Sequence, residues 1–284
     1  MLKFLSFSSG SCGNCYFLTD GSHGLLIDAG VSVRRLKKTL SDHGLGADSF
    51  QAVLVTHDHL DHIRHLGSYC KHLQKPVYAT DVLDEALRRH TFTKDYIASC
   101  IRTLPDGEPL RIILDPAAPE ESMPLVSHFI VPHDATQTIG YFIEWNGVRF
   151  FLMTDAGRVT DEAVEYARRA DAVVFESNYD TAMLIGGPYT HELKMRICQG
   201  NGHISNDECA SAIRRFWHPG LRNLFLCHLS ENNNTPAFAF ESAAEALRSI
   251  SVGNGLTAKD VTNLQTLPRT RASVMFTLES DRLF

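Results

Sequence analysis

The 284-residue chain lacks the long apolar run of a transmembrane helix, because no stretch approaches about 20 consecutive apolar residues. Residues 1–7 are too short and too polar for a secretion signal, so we expect a first β-strand there and a cytoplasmic protein without membrane contact. Excess positive charge is also missing. The formal net charge of −6 gives no overall basic footprint of the kind that nucleic-acid-binding proteins usually carry.

Cysteine is too irregular in this chain for a disulfide framework. Seven cysteines, an odd number, are scattered along the sequence. Cys12 and Cys15 formally make a Cys-x-x-Cys pair, which would suit a redox centre or half of a zinc site, but the sequence has no second pair. We favour the simpler interpretation that they belong to a turn of small residues between two strands.

Strand and helix patterns occupy different parts of the chain. Short strands open each half, whereas strands and helices alternate later, and residues 91–126 give no clear pattern. Sequence patterns elsewhere predict a helix that Asp81 caps and helices over 161–170 and 206–216. No repeat or linker divides the chain. We therefore predict an α/β fold of two packed sheets with helices outside, in one domain over residues 1–284.

The most informative motif is His57-Asp58-His59-Leu60-Asp61-His62, which follows an apolar run at 52–55. We predict a strand over 51–56, whose alternation would point His57 and His59 the same way, and a helix over 61–73. The start of that helix would bring the side chains of Asp61 and His62 back toward those of His57 and His59. These donors are typical of catalytic metal centres, although surface histidines in a polar loop are the alternative.

Four other apolar strands also end in a residue that can bind or support a metal. These residues are Asp28, His133, Asp155 and His228. Active sites of α/β sheets gather at strand ends, so the recurrence indicates one common site. Taken alone, His133 or His228 would more often be a structural histidine, but beside the first motif they complete a ligand set for two cations.

The order of these residues resembles the metallo-β-lactamase superfamily, which implies an αβ/βα sandwich of two mixed β-sheets flanked by helices. Further motifs resemble the YycJ (WalJ) branch of that superfamily, which is related to tRNase Z. The matching segments are 8–14, 28–30, 133–135, 154–155, 176–180, 202–206 and 228–233. Two positions depart from the branch pattern: Cys12, where serine is more usual, and Tyr179, where histidine is common.

The resemblance implies a dinuclear centre of two divalent transition-metal ions, zinc or manganese, with iron also compatible. By this pattern the first metal is bound by His57, His59 and His133, and the second by Asp61, His62 and His228, with Asp155 bridging the two. Asp28 would orient one of the imidazoles from behind, because carboxylates commonly fix the tautomer of a metal-binding histidine.

The branch is regarded as a 5′-exonuclease on DNA, so the resemblance implies a metal-dependent nuclease that attacks phosphorus with an activated water. Asp61 would orient the water, His203 would protonate the leaving oxygen, and Glu176 would hold His203 charged. A purely structural His203 at a helix start is the alternative. The expected partner is nucleic acid, DNA rather than RNA, while the oligomeric state is not predicted.

Two other functions compete with the nuclease. A thioester or lactone hydrolase of the glyoxalase type could use the same metal site, and Asp61 does not discriminate between them. A metal-bound regulatory module would be expected to lack a ligand, and none is missing. Substrate phosphates would require basic side chains, for which Arg64 and the pair Arg34-Arg35 are candidates, while the amides of residues 232–234 either contact substrate or build a loop.

Overall fold

The computed structural model of the chain describes residues 1–280. Its strands are β1 (Leu2–Ser8), β2 (Cys15–Thr19), β3 (Gly24–Ile27), β4 (Ala52–Leu54), β5 (Val77–Ala79), β6 (Ile101–Thr103), β7 (Leu110–Arg111), β8 (Leu125–Val131), β9 (Thr138–Trp145), β10 (Val148–Met153), β11 (Ala172–Glu176), β12 (Asn223–Cys227), β13 (Ser251–Gly253), β14 (Leu256–Thr257), β15 (Asn263–Thr266) and β16 (Phe276–Leu278). Its α-helices are α1 (Val33–Asp42), α2 (Leu60–Ile63), α3 (Leu66–Leu73), α4 (Asp81–Arg89), α5 (Asp161–Ala167), α6 (Thr181–Gly186), α7 (His191–Cys198), α8 (Asn206–Phe216), α9 (Pro236–Arg248) and α10 (Ala258–Val261).

Two seven-stranded sheets form the centre of the molecule, in the orders β16-β1-β2-β3-β4-β5-β6 and β15-β12-β11-β10-β9-β8-β7. Each sheet is antiparallel at one side and parallel at the other, for example β2 against β3 and β3 against β4. Helices cover the sheets, as the predicted α/β sandwich requires, so the predicted fold class is confirmed. Among residues 1–280, no helix combines the length and the apolar character that a bilayer crossing demands.

Aromatic side chains fill the space between the two sheets. The ring of Phe4 on β1 lies 5.4 Å from that of Phe150 on β10 and 4.9 Å from that of Phe225 on β12. The next residue along β10, Phe151, points to the opposite face and joins a second core beneath the helices. Because both faces of this sheet are buried, the strand ends that carry the site are held rigidly.

The predicted helix over 61–73 is wrong as a single element, because it is two helices interrupted at Arg64 and His65. The carbonyl of Asp61 accepts from the backbone N–H of Asn14 at 2.7 Å, so it is turned away from the usual partner four residues on. That partner, the N–H of His65, instead donates to the carbonyl of Ala29 at 3.1 Å. Long-range backbone contacts therefore override the local helical pattern.

The predicted strand over 51–56 is also too long, because β4 ends at Leu54 and the histidine motif lies in the loop beyond it. The N–H of Thr56 donates to the side chain of Asp28 at 2.8 Å, and its carbonyl accepts from Ile139 at 3.0 Å. His57 and His59 thus converge through loop geometry, with ring centres 4.8 Å apart, and not through the alternation of a strand.

Other boundaries shift by smaller amounts. Thr80, not Asp81, caps α4, since its side chain accepts from the N–H of Leu83. The helix predicted over 161–170 ends at Ala167, while the predicted bounds of α8 are confirmed. The stretch 91–126, which gave no clear sequence pattern, contains the short strands β6 and β7, brief 3-10 turns and the first two residues of β8, which explains its lack of periodicity.

Candidate metal centre

The predicted site residues follow the carboxyl ends of strands, and three of them, two ligands and the supporting Asp28, have an unusual backbone. Asp28, Asp155 and His228 have φ values of 65°, 54° and 52°, in the left-handed region. Non-glycine residues seldom adopt this conformation, although Asp and His do so more often than most, and it is concentrated at functional sites. Each of these turns aims a polar side chain from the end of its strand toward the same point.

The first group of donors is formed by His57, His59 and His133, whose ligand atoms lie within 4.8 Å of one another. His59 Nδ1 lies 3.2 Å from His133 Nε2. His57 Nε2 is buried without a hydrogen-bond partner among residues 1–280. A buried polar atom without a partner is costly, and a cation held by the three imidazoles would remove that cost, so these residues fit a metal.

The second group contains Asp61, His62, Asp155 and His228, and its ligand atoms also lie within 4.8 Å of one another. His228 Nε2 lies 3.3 Å from Asp61 Oδ2, and His62 Nε2 lies 3.1 Å from Asp155 Oδ2. Two carboxylates and two imidazoles suit a divalent transition metal. The structure thus brings all seven residues predicted from the sequence into two adjoining groups.

Asp155 lies between the two groups. Its Oδ1 is 3.8 Å from His133 Nε2 in the first group and 3.5 Å from His228 Nε2 in the second. Its side chain is 2% exposed, so these histidines form most of its environment. A ligand that bridges two cations requires this intermediate position.

The electrostatics of the buried cluster favour positive charge at its centre. Burial opposes an imidazolium at His228, but the carboxylates of Asp155, Asp61 and Glu176 outweigh it and raise the pKa of His228 to about 10. Burial would likewise raise the pKa of Asp155, yet His228 and His62 hold it well below its usual range. A bound cation would supply the same positive charge and release the protons from the imidazoles.

The pKa of His57 moves the other way. Burial lowers it well below the ordinary value, and the nearby charge of His62 lowers it further. His57 is therefore neutral, which is the form of histidine that binds a metal.

Asp28 supports the second group from behind, as the resemblance implied. Its Oδ2 lies 2.6 Å from His62 Nδ1 and accepts from the hydroxyl of Thr56 at 2.8 Å. Because Nδ1 of His62 is engaged by this carboxylate, Nε2 is the nitrogen left for a metal. Fixing the tautomer in this way is the usual role of a carboxylate behind a metal-binding histidine.

Glu176 contacts two histidines at once. Its Oε1 lies 2.7 Å from His203 Nδ1 and 3.2 Å from His228 Nδ1, while its Oε2 accepts from the N–H of Ala156 at 2.7 Å. Burial disfavours an imidazolium at His203, but the Glu176 carboxylate outweighs it and raises the pKa of His203. The predicted Glu176–His203 pair is therefore present, directly beside the second group of donors.

Several supporting residues received no role from the sequence. The Asn14 amide contacts Asp61 Oδ2 at 3.1 Å and His62 Nε2 at 2.8 Å. Asn178 Nδ2 donates to the carbonyl of His228 at 2.8 Å, and Ser9 Oγ accepts from its N–H at 3.0 Å. All three lie within the recognised motifs, but those motifs do not say which side chains they support.

Asp134 is a further residue without a predicted role. Its Oδ2 accepts from Arg196 Nε at 2.6 Å, and its Oδ1 lies 3.5 Å from His133 Nε2. It therefore connects the first group of donors to α7. An open cavity of about 230 Å³ extends over the cluster and is lined by Ser11, Asp61, His133, Arg196 and His203 among others.

The Cys-x-x-Cys pair takes no part in the cluster. Cys12 is exposed in the turn and Cys15 is buried at the start of β2, and both are free thiols. Burial raises the pKa of Cys15, so its thiol is unreactive. This agrees with the turn interpretation and not with a redox pair.

Comparisons with known proteins agree with this architecture. Residues 23–228 match the family model described as a beta-lactamase superfamily domain. The chain is 30% identical to "Exodeoxyribonuclease YycJ" of Bacillus anthracis, over 89% of this chain and 92% of that protein. It is 28% identical to "Exodeoxyribonuclease WalJ" of Streptococcus pneumoniae, over 90% and 92% of the two chains.

The fold also resembles the crystal structure of the metallo-β-lactamase fold protein YhfI from Bacillus subtilis. That likeness has a TM-score of 0.66 at 16% identity and covers 96% of this chain and 99% of YhfI. The chain therefore belongs to the beta-lactamase superfamily, in the branch that contains YycJ and WalJ, and it is a metal-dependent hydrolase.

Proposed function

We propose that this protein is a metal-dependent nuclease that hydrolyses DNA from the 5′ end, with two divalent metal ions in the cluster. The observation that carries the proposal is the Glu176–His203 pair, 2.7 Å apart at the edge of the donor cluster. The names of the two exodeoxyribonuclease relatives support the same substrate class.

The site residues have two roles: some would bind the metal ions and others would act on the substrate. His57, His59 and His133 would hold one ion, and Asp61, His62 and His228 the other, with Asp155 between them. Bound divalent ions would neutralise a phosphate and supply an activated water. Asp61 is half-buried at the cavity, where its carboxylate can orient that water toward phosphorus.

His203 is the proton donor of the proposed reaction. Its Nδ1 is engaged by Glu176, so Nε2 is the nitrogen that can carry a proton toward the leaving oxygen. Its side chain is 21% exposed and lines the cavity, as contact with substrate requires. An alkoxide leaving group gains most from such a donor, which favours phosphodiester hydrolysis over the cleavage of a thioester, whose leaving thiolate needs no proton.

The test uses purified protein with manganese or zinc. DNA oligonucleotides labelled at the 5′ or the 3′ end, single- and double-stranded, are compared with RNA of the same sequence and with a thioester such as S-lactoylglutathione. We expect immediate release of the terminal nucleotide from 5′-labelled DNA and progressive shortening of 3′-labelled DNA. Faster turnover of the thioester, or of RNA, would contradict the proposal.

A further inference from the structure

A second depression lies beside the strand end that carries His228, because its lining begins at Leu229. It measures about 330 Å³ and is lined by Ser230, Asn234, Arg269, Thr270 and Arg271 among others. We infer that this depression, here called the arginine groove, binds the sugar-phosphate backbone of the same nucleic-acid strand whose terminal phosphodiester is cleaved. The inference rests on the proposed function and extends it from the scissile bond to the remainder of the strand.

The arginine groove is joined to the metal site through Ser9. The N–H of Ser9 donates to the carbonyl of Arg269 at 3.3 Å, while its hydroxyl accepts from the N–H of His228 at 3.0 Å. One residue therefore contacts both a wall of the groove and the backbone of a candidate metal ligand. Ser230, another wall residue, follows His228 by only two positions.

The loop between the two cavities also connects them. Ser11 lines the metal-site cavity, and its neighbour Gly10 packs on the stem of Arg269. A Cβ on Gly10 would lie 3.4 Å from Arg269 Cγ, which is ordinary contact distance. A strand that leaves the metal site across the exposed Ser11 thus comes close to Arg269, which packs on the preceding residue.

The charge of the groove suits a phosphate backbone, although the whole chain carries −6. Arg271 is exposed and forms no ion pair among residues 1–280. Arg269 Nη2 lies 3.0 Å from Glu231 Oε2, and this carboxylate is 59% exposed. The Arg269 side chain is 22% exposed, and its Nε and Nη2 atoms have no hydrogen-bond partner among residues 1–280, so donors remain for a phosphate. Guanidinium groups bind phosphate through two parallel hydrogen bonds.

The wall that carries these arginines is fixed before any substrate binds. Arg35 donates to the carbonyl of Phe7 at 2.5 Å and to that of Thr270 at 2.9 Å, and Ser8 Oγ donates to the carbonyl of Arg269 at 2.6 Å. Arg35, a candidate phosphate contact from the sequence, is therefore engaged in holding the groove wall. Side chains on a fixed wall lose less freedom when they bind a ligand.

The amide of Asn234, which lines the groove, is not free to recognise substrate. Asn234 Nδ2 donates to the carbonyls of Ser177 and Asn178 at 2.9 and 3.0 Å, so it builds the loop before α9. This favours the loop alternative for Asn234 over substrate contact. The two arginines are accordingly the groove residues whose loss should weaken nucleic-acid binding most.

The test compares a 12-nucleotide single strand with a dinucleotide, because only the longer substrate reaches the groove. We expect Arg269→Ala/Arg271→Ala to lower the ratio of kcat/KM for the 12-mer to that for the dinucleotide about tenfold, chiefly through KM. The salt dependence of log Kd for the single strand should flatten by about 0.7 per lost phosphate contact. Arg271→Ala alone, at an exposed position, should give part of both effects.

The matched control is Arg214→Ala/Arg248→Ala, which also removes two arginines, one of them paired with a glutamate. Arg248 lies at the far end of α9, about 18 Å along the helix from Pro236 at 1.5 Å per residue. The control should leave the ratio unchanged. If both double variants alter the ratio equally, or neither does while the wild type cleaves both substrates, the groove is wrong and the nuclease stands. A wild type that cleaves neither substrate overturns both.

Discussion

Asp28 and His62 form a fully buried pair at the back of the metal centre, with Oδ2 and Nδ1 only 2.6 Å apart. Asp28→Asn preserves the shape and tolerates the left-handed backbone, but it removes the charge that fixes the imidazole. We expect metal affinity to fall about 10–100-fold, as for other residues that orient a metal-binding histidine. Competition with a fluorescent zinc chelator measures this affinity, and an unchanged value would separate Asp28 from the metal.

Metal binding should also stabilise the fold, because the carboxylates and histidines of the cluster are paired with a cation only in the folded state. A ligand of the folded state alone adds about 2.7 kcal/mol when present at 100 times its Kd. Thermal unfolding should therefore move to a lower Tm in chelator and recover on addition of zinc or manganese. Elemental analysis should find up to two equivalents per chain, and protein that stays metal-free with an unresponsive Tm would refute the centre.

Asp155 contacts both groups of donors, so its loss should be more severe than that of any single histidine. Asp155→Asn is preferable to alanine because asparagine also tolerates a φ of 54°. We expect nuclease turnover to fall at least about 100-fold while circular dichroism shows a retained fold. Asp134→Asn, which alters a carboxylate that contacts the cluster from outside, is the comparison. Equal losses in the two variants would show that Asp155 has no special position.

Substitutions of His203 and of Glu176 should have different effects on metal content and turnover. His203→Ala should keep its metal and lose about 10²–10⁴-fold in kcat on DNA. A p-nitrophenyl phosphodiester, whose leaving group needs little protonation, should lose much less. If Glu176 only held His203 charged, as the resemblance implies, Glu176→Gln would show a weaker version of the same pattern. Glu176 also contacts His228 and the N–H of Ala156, however.

Glu176→Gln should therefore reduce metal content as well as turnover, since an amide cannot accept every hydrogen bond that the carboxylate accepts. Metal analysis of the two variants, side by side, distinguishes the roles. If His203→Ala loses metal, or slows both substrates equally, His203 is a ligand or a structural residue and not the proton donor.

The sequence predicts the site better than it predicts the local structure around it. The candidate ligands can be picked out because they follow apolar strands, and that order survives the shift of β4 and the interruption at Arg64 and His65. The interruption itself could not be foreseen. It depends on Asn14 and Ala29, which lie more than 30 residues earlier and bind the backbone at this point only in the folded chain.

The contacts of Asp134 and the arginine groove could not be predicted from the sequence either, because they also join residues that are far apart along the chain. Asp134 directly follows the ligand His133, yet its partner Arg196 is 62 residues further on. Arg269 reaches Ser8 and Ser9 across most of the chain. Periodicity and spacing do not indicate such pairs. Composition and the pattern of strands, in contrast, were enough to predict the two sheets.

A substitution at Gly30 tests the packing around the metal centre without changing any candidate ligand. A Cβ at Gly30 would lie 1.9 Å from the carbonyl oxygen of Asp61 and 2.4 Å from the backbone N of Asn14. Neither atom can move freely, because the two residues are joined by a hydrogen bond of 2.7 Å and Asp61 is a candidate ligand. Gly30→Ala should destabilise the fold by about 1–3 kcal/mol and reduce metal content.

The control for this prediction is Gly186→Ala at the end of α6, where an added Cβ meets no atom within 4 Å. Its stability should stay within about 0.5 kcal/mol of the wild type and its metal content should be normal. Urea unfolding and metal analysis of both variants decide the matter. If Gly30→Ala is as stable and as fully metallated as Gly186→Ala, the close contact between residue 30 and the backbone of Asp61 does not hold the metal centre in place.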